Sequence, residues 1–103
     1  VGEVDGVRVM SAEMVERARA ERVNAPDKSL ILPTRFGSGF MLDMPFAPLL
    51  TPESFGHPGA GGSLGYADPV NEVGYGYVMN EMHSGISGDP RTVNLNNAVN
   101  ACL

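Results

Sequence analysis

Glycine alternates with large side chains in this chain, and that pattern limits what it can fold into more than any other feature. In EVGYGYVMN, residues 72–80, Val73, Tyr75, Tyr77 and Met79 share one face of a pleated strand and Gly74 and Gly76 the other. FGSGFML, residues 36–42, repeats the device, with Phe36, Phe40 and Leu42 to one side and Gly37, Gly39 and Met41 to the other. A period of two belongs to strands and not to helices, and a face of bare glycines lets another element approach the backbone closely. SFGHPG and GSLGYA read as two more short strands, which makes about four.

Helices are expected at both ends. In MSAEMVERARAERV, Ser11 is placed to cap the free amides, Glu13 favours the positive end, and Met10 can staple onto Val15. Met14, Val15 and Ala18 form the expected inner face. Asn24 to Lys28, with Pro26, should end this helix, and LILPTR leads into an extended stretch. Near the other terminus, Asp89 as N-cap and Pro90 at the first helical position open a second helix, with Leu95, Ala98, Val99, Cys102 and Leu103 on its inner face. Pro45, Pro48 and Pro52 each lack an amide donor, so DMPFAPLLTPE should be an irregular connection. Asp68 and Pro69 mark the turn between the last two strands. The predicted fold is α+β: an antiparallel sheet of about four strands flanked by N- and C-terminal helices, both on one face.

With 103 residues the chain makes one domain at most. A net charge of −5, with seven Lys and Arg spread thinly, leaves no basic stripe for phosphates, so no nucleic-acid partner is expected. No apolar run approaches the ~20 residues that a membrane-spanning helix needs. VGEVDGV carries no basic stretch followed by an apolar one, so no signal peptide is read and the expectation leans to the cytoplasm. Cys102 is the only cysteine, expected in the core. No His, Asp and Glu cluster has metal-ligand spacing, so neither a metal nor a cofactor is predicted. The six methionines read as core filling.

FGHPGAGGSLGYADP, residues 55–69, is the stretch that carries chemistry. Gly61, Gly62, Ser63, Leu64 and Gly65 fit Gly-x-Ser-x-Gly, the nucleophile elbow of α/β-hydrolases. An elbow needs a helix directly after the serine, however, and LGYADP reads as a strand closed by a turn. The glycines do not fit a phosphate-binding Gly-x-x-x-x-Gly-Lys either. His83, the only downstream histidine, lies in a glycine-rich loop beside Asn80 and Glu81 and reads as a solvent-exposed loop residue.

FGHPGAGGSLGYADP followed by VGYGYVMNEM resembles the C-terminal part of the β-lactamase-like serine hydrolases, a family that includes class C β-lactamases, penicillin-binding proteins and related carboxylesterases. DGVRVMSAEMVERA, PTRFGSGFML and the closing DPR helix extend the likeness over nearly the whole chain. The resemblance implies a catalytic serine in Ser-x-x-Lys, a Tyr-x-Asn motif, and a third motif, Lys-Thr-Gly or a variant beginning with His, on the strand that lines the cleft. His57, Pro58 and Gly59 look like that third motif. Ala60 would then supply the backbone N–H that completes an oxyanion hole with the amide of the nucleophile. Pro58 stands where a threonine helps hold a β-lactam carboxylate, and His57 carries less charge than lysine near neutrality, so a neutral ester is favoured as substrate. Pro58 also implies that its strand lies at an edge or against a cleft.

No serine here has lysine three residues later, and no tyrosine has asparagine two later. The resemblance thus implies that residues 1–103 are a single C-terminal region of a larger hydrolase domain, a small-molecule ester hydrolase acting through an upstream serine. His57 and Ala60 would be its catalytic contributions and Pro58 and Gly59 its substrate-binding ones, and the chain alone is expected not to turn over substrate. Such a region should expose apolar surface where the missing N-terminal portion packs, and so self-associate. Two readings stay open beside this one: a catalytically inert binding or assembly module, and a self-contained α/β-hydrolase with Ser63 as nucleophile.

Overall fold

A computed structural model describes residues 2–103. A two-stranded hairpin, β1 (Glu3–Val4) and β2 (Val7–Arg8), leads into helix α1 (Ala12–Arg19). Six strands follow: β3 (Val23–Asp27), β4 (Leu32–Phe36), β5 (Met41–Leu42), β6 (Phe55–Pro58), β7 (Leu64–Asp68) and β8 (Val73–Tyr77). They form one antiparallel sheet in chain order, and helix α2 (Pro90–Ala101) closes the chain. The α+β class, the flanking helices and the last three strands are as the sequence predicts.

Three expectations about the strands need correction. VNAPD does not merely end the first helix: it is the edge strand β3, where Pro26 lies opposite Pro33 and its missing N–H interrupts no interior ladder. FGSGFML is not one strand. Gly39 takes a positive φ of 86°, the Gly37 N–H donates to the Phe40 carbonyl at 2.8 Å, and the run folds into the tight turn between β4 and β5. The sheet thus has six strands rather than about four.

The helix faces also differ from expectation. Ser11 caps α1 as predicted, its hydroxyl accepting from the Met14 N–H at 3.1 Å. Val15 is buried, but Met14 is half exposed. On α2, Asp89 and Pro90 open the helix as expected, yet the buried residues are Thr92 and Asn96, with Val99 beside them, while Leu95, Ala98, Cys102 and Leu103 lie outside. Hydrogen bonding decides this. Tyr66 donates its hydroxyl to Asn96 Oδ1 at 2.6 Å, and Asn96 Nδ2 donates to the Leu49 carbonyl at 3.2 Å, so the polar side of the helix turns inward. Burial pushes the Tyr66 phenol up to about 12, with the neighbouring Tyr75 and Asp68 adding to the shift. Met41 and Met44 are core residues, whereas Met82 is exposed.

The two helices cover opposite faces of the sheet, not one. Leu64, Tyr66 and Asp68 point to the face that α2 covers, where Leu49, Leu50, Leu64 and Tyr66 make the main apolar cluster and Tyr75 stacks on Tyr66 at 4.8 Å. Ala67, Phe55 and Gly74 point the other way, and with Val15 and Ala18 of α1 they line a cleft of about 570 Å³. At the centre of the sheet β6 and β7 approach so closely that a Cβ on Gly56 would lie 2.1 Å from the Gly65 carbonyl oxygen and 2.5 Å from the Tyr66 Cα.

Asp68 is the turn former expected at the end of β7, and it is also nearly fully buried, at 1% exposure. Its carboxylate accepts from the Ser54 hydroxyl at 2.6 Å, from the Thr51 hydroxyl, and from the Asn71 amide at 2.7 Å. Burial pushes this carboxyl up, but the bonds from Ser54, Thr51 and Asn71 outweigh it and hold the group below its ordinary value. A folded value below the unfolded one means that the contribution is complete above about pH 4 and is lost as pH falls through the folded value. Asp68→Ala, which strands the buried Ser54 hydroxyl and the half-buried Thr51 hydroxyl, should cost about 2–4 kcal/mol in urea unfolding at pH 7. The gap between variant and wild type should narrow as the pH is lowered towards 3, and a gap independent of pH would refute the assignment.

Candidate active site

Strands β6 and β7 pair Phe55 with Ala67, Gly56 with Tyr66, His57 with Gly65 and Pro58 with Leu64, and residues 59–63 make the turn between them. The Gly59 N–H donates to the Ser63 carbonyl at 2.8 Å, the Gly62 N–H to the Gly59 carbonyl at 3.2 Å, and the Gly61 N–H to the Gly85 carbonyl at 3.0 Å. Ala60 is exposed at the crest, and its amide has no hydrogen-bond acceptor among the described residues.

His57, Pro58, Gly59 and Ala60 are consecutive, so this one strand end and turn bring all four predicted site residues together. His57 is exposed on β6. Its Nδ1 lies 2.6 Å from the Pro58 carbonyl, which can only accept, so Nδ1 is the donor of that bond. The Phe36 ring lies beside it, with centroids 6.0 Å apart. Although β6 is an interior strand, β5 ends at Met41 opposite Gly56. His57 and Pro58 therefore have a strand neighbour only on the β7 side, and the missing Pro58 N–H costs no ladder bond.

Ser63 is not on a nucleophile elbow. It leads directly into β7, no helix follows it, and among the described residues no histidine or carboxylate bonds its hydroxyl. His83 is directed elsewhere, its Nδ1 lying 3.0 Å from Asp89 Oδ2, so it is half exposed as expected but not without a partner. The backbone N–H of His83 donates to the Gly61 carbonyl at 3.0 Å.

Sequence reasoning missed the residues that surround the turn. Arg91, read only as part of a helix start, donates from Nη2 to the Gly61 carbonyl at 3.0 Å and from Nη1 to the Glu81 carbonyl at 2.9 Å. Thr92 donates its hydroxyl to the Gly62 carbonyl at 2.5 Å. The bonds to Gly61 and Gly62 join residues thirty apart along the chain, and no local pattern announces them. The Arg91 guanidinium beside Asp89 holds the aspartate carboxyl well below the usual carboxylate range, against the opposing effect of burial. Among the described residues no group of three His, Cys, Asp or Glu is arranged to hold a metal ion, and no helix is long and apolar enough to cross a membrane.

The arrangement is a strand end and turn that carry the exposed His57 imidazole close in sequence to an exposed Ala60 whose amide has no acceptor among the described residues, groups able to exchange a proton and to donate a hydrogen bond. The β-lactamase family model matches residues 2–99. An esterase/beta-lactamase, LipL, from Mycobacterium tuberculosis is 38% identical over 84 residues, which covers 81% of this chain and 19% of that protein. The crystal structure of a family VIII carboxylesterase is similar with a TM-score of 0.91 and 37% identity, covering 99% of this chain and 28% of that one. That of a penicillin-binding protein homologue from Caulobacter crescentus gives 0.89 and 39%, again with 99% and 28% covered. The chain thus spans between about a fifth and just over a quarter of the length of these proteins.

Gly62 has a φ of 119°, and a Cβ there would lie 2.7 Å from Asp89 Oδ2 and 2.9 Å from Arg91 Nη2. Gly62→Ala combines an unfavourable backbone conformation with that clash and should lower stability by about 2 kcal/mol. An unchanged urea midpoint would contradict the packing of the turn described above.

Proposed function

This chain belongs to the β-lactamase family, and from that membership we propose that it is the C-terminal region of a serine carboxylesterase whose nucleophile lies in a preceding portion of the protein. The observation that carries the reading is the exposed Ala60 in the turn after His57, whose amide has no acceptor among the described residues. In the reaction, the upstream serine attacks the ester carbonyl and the alcohol departs. Water then releases the acyl group as the acid. The Ala60 N–H donates to the carbonyl oxygen as it gains negative charge, an interaction that strengthens only towards the transition state. His57 orients the substrate or assists proton transfer through Nε2, Gly59 permits close approach, and Pro58 shapes the wall for a neutral ester.

The names of the relatives support the ester reading, since an esterase/beta-lactamase and a carboxylesterase stand among them. The same reading gives a role to the open side of the sheet. Among the described residues strand β8 pairs only with β7, and its sequence VGYGY has no charge or proline to discourage pairing. The preceding portion docks against this edge in the whole protein, and the isolated chain self-associates through it. Sedimentation of the isolated chain should show a concentration-dependent mass, reduced by Gly76→Lys, which puts a charge on the exposed strand where a Cβ meets nothing; a monomer at all concentrations would refute that assignment.

The test of the activity is labelling with a fluorophosphonate, which phosphonylates activated serines. The full-length protein should take one adduct on a serine outside residues 1–103, and Ser63→Ala should hydrolyse a p-nitrophenyl ester at the wild-type rate. His57→Ala, changing an exposed side chain, should leave the melting temperature in place while lowering kcat/KM about 100-fold or more. An adduct mapped to Ser63 would overturn the reading and make the chain a hydrolase in its own right.

A further inference from the structure

We propose that Arg91 is a positioning residue for the oxyanion site: its guanidinium, fixed by Asp89, clamps the 59–63 turn and so holds the Ala60 amide in a single orientation. The inference rests on the esterase reading for its catalytic consequence, but the clamp itself is a matter of geometry.

An oxyanion donor is effective when it is already aimed before charge develops. The sequence around Ala60 works against that. Gly59, Gly61 and Gly62 flank it, Gly61 and Gly62 have φ of 90° and 119°, and glycine pairs of this kind have wide conformational freedom. The turn's shape therefore has to be imposed from outside. Two donors converge on the Gly61 carbonyl, Arg91 Nη2 at 3.0 Å and the His83 N–H at 3.0 Å, while the Gly61 N–H is held by the Gly85 carbonyl. The peptide on each side of Gly61 is thus fixed by a group from another part of the chain, and Thr92 does the same for the Gly62 carbonyl.

Arg91 is itself held in plane. Its Nε donates to Asp89 Oδ1 at 3.0 Å and its Nη2 to Asp89 Oδ2 at 2.9 Å, a two-point bond between fork and carboxylate that leaves Nη1 to reach the Glu81 carbonyl. A lysine at this position could satisfy one of these acceptors but not bridge all of them. The aspartate also caps α2 by accepting from the Arg91 N–H at 2.9 Å, so the start of the helix and the shape of the turn are joined through two adjacent side chains. Gly62 completes the fit, because only a residue without Cβ lies this close to both Asp89 and Arg91.

The test uses the full-length protein and two readouts. Hydrogen exchange followed by mass spectrometry reports the 59–64 peptide, and hydrolysis of a p-nitrophenyl ester reports kcat and KM separately. Arg91→Ala should raise exchange in the 59–64 peptide about tenfold while peptides from β4 and β7 keep their protection. It should lower kcat about 10- to 100-fold with KM little changed, since an aimed donor acts on the transition state. Arg91→Lys should recover part of both. The clamp is overturned if Arg91→Ala leaves exchange in the turn at the wild-type rate. It is equally overturned if protection is lost across the whole sheet and Arg91→Lys recovers none of it, which is a general structural role. Should Arg91→Ala fail to fold, Asp89→Asn keeps a good N-cap while releasing the guanidinium, and the same turn-specific rise is expected; its absence refutes the proposal. A wild-type protein without ester hydrolysis would remove the esterase reading, and the exchange measurement would still decide whether Arg91 sets the turn.

Discussion

The close approach of β6 to β7 is the constraint on which the rest of this structure depends. With Gly56 against the Gly65 carbonyl and the Tyr66 backbone, no side chain intervenes, and the register of the hairpin can take only one value. That register sends Leu64, Tyr66 and Asp68 to one face together. Each of the three then organises a different part of the fold. Leu64 joins the cluster with Leu49 and Leu50, Tyr66 receives α2 through Asn96, and Asp68 gathers Ser54, Thr51 and Asn71. Slipping the hairpin by one residue would place Gly65, Ala67 and Pro69, or Ser63, Gly65 and Ala67, where these three connections are made.

Polar groups do much of the organising because apolar burial is modest. Nine apolar residues make up the buried core among the described residues, of which four cluster around Leu64 and three around Met41. Such small clusters fix few orientations by shape alone, whereas a buried amide or carboxylate tolerates only arrangements that satisfy it. Asn96 illustrates the point. It bonds the sheet through Tyr66 and the proline-rich loop through Leu49, and in doing so turns the polar side of α2 inward and leaves Leu95 and Leu103 outside.

What the sequence made legible follows from how far each signal reaches. Caps are local: Ser11, Asp89 and Pro90 announce their helices because the bonding partners lie within three residues. Strand β8 was readable from alternation and β6 and β7 as short strands, whereas the site residues His57 to Ala60 were legible through the resemblance of that run to the family's third motif. Hidden from it were the faces of α2 and the clamp on the turn, both fixed by bonds between residues thirty or more apart. An apolar periodicity scan assigns Leu95 and Cys102 inward by default, and it has no means of knowing that Tyr66 will present a hydroxyl needing an acceptor. The pairing of Val23–Asp27 with Leu32–Phe36 was obscured for another reason: Pro26 reads as a breaker unless the strand is known to be at an edge.

The misread stretch FGSGFML shows how such an error bears on the site. Had residues 36–42 run on as one strand, the β5 register would place Phe40 opposite His57 and Gly39 opposite Pro58, covering the open side of β6. The turn prevents this. Gly39 takes its positive φ, the Ser38 N–H is drawn to the Ala18 carbonyl at the end of α1, and β5 is cut to two residues. The backbone of His57 and Pro58 is thereby left without a strand neighbour on that side among the described residues, and the Phe36 ring stands near the imidazole. The two glycine-rich turns therefore have opposite tasks on the same strand. The one at 37–40 withdraws a neighbour and creates space beside His57, and the one at 59–63 is pinned from α2 so that what faces that space stays in place.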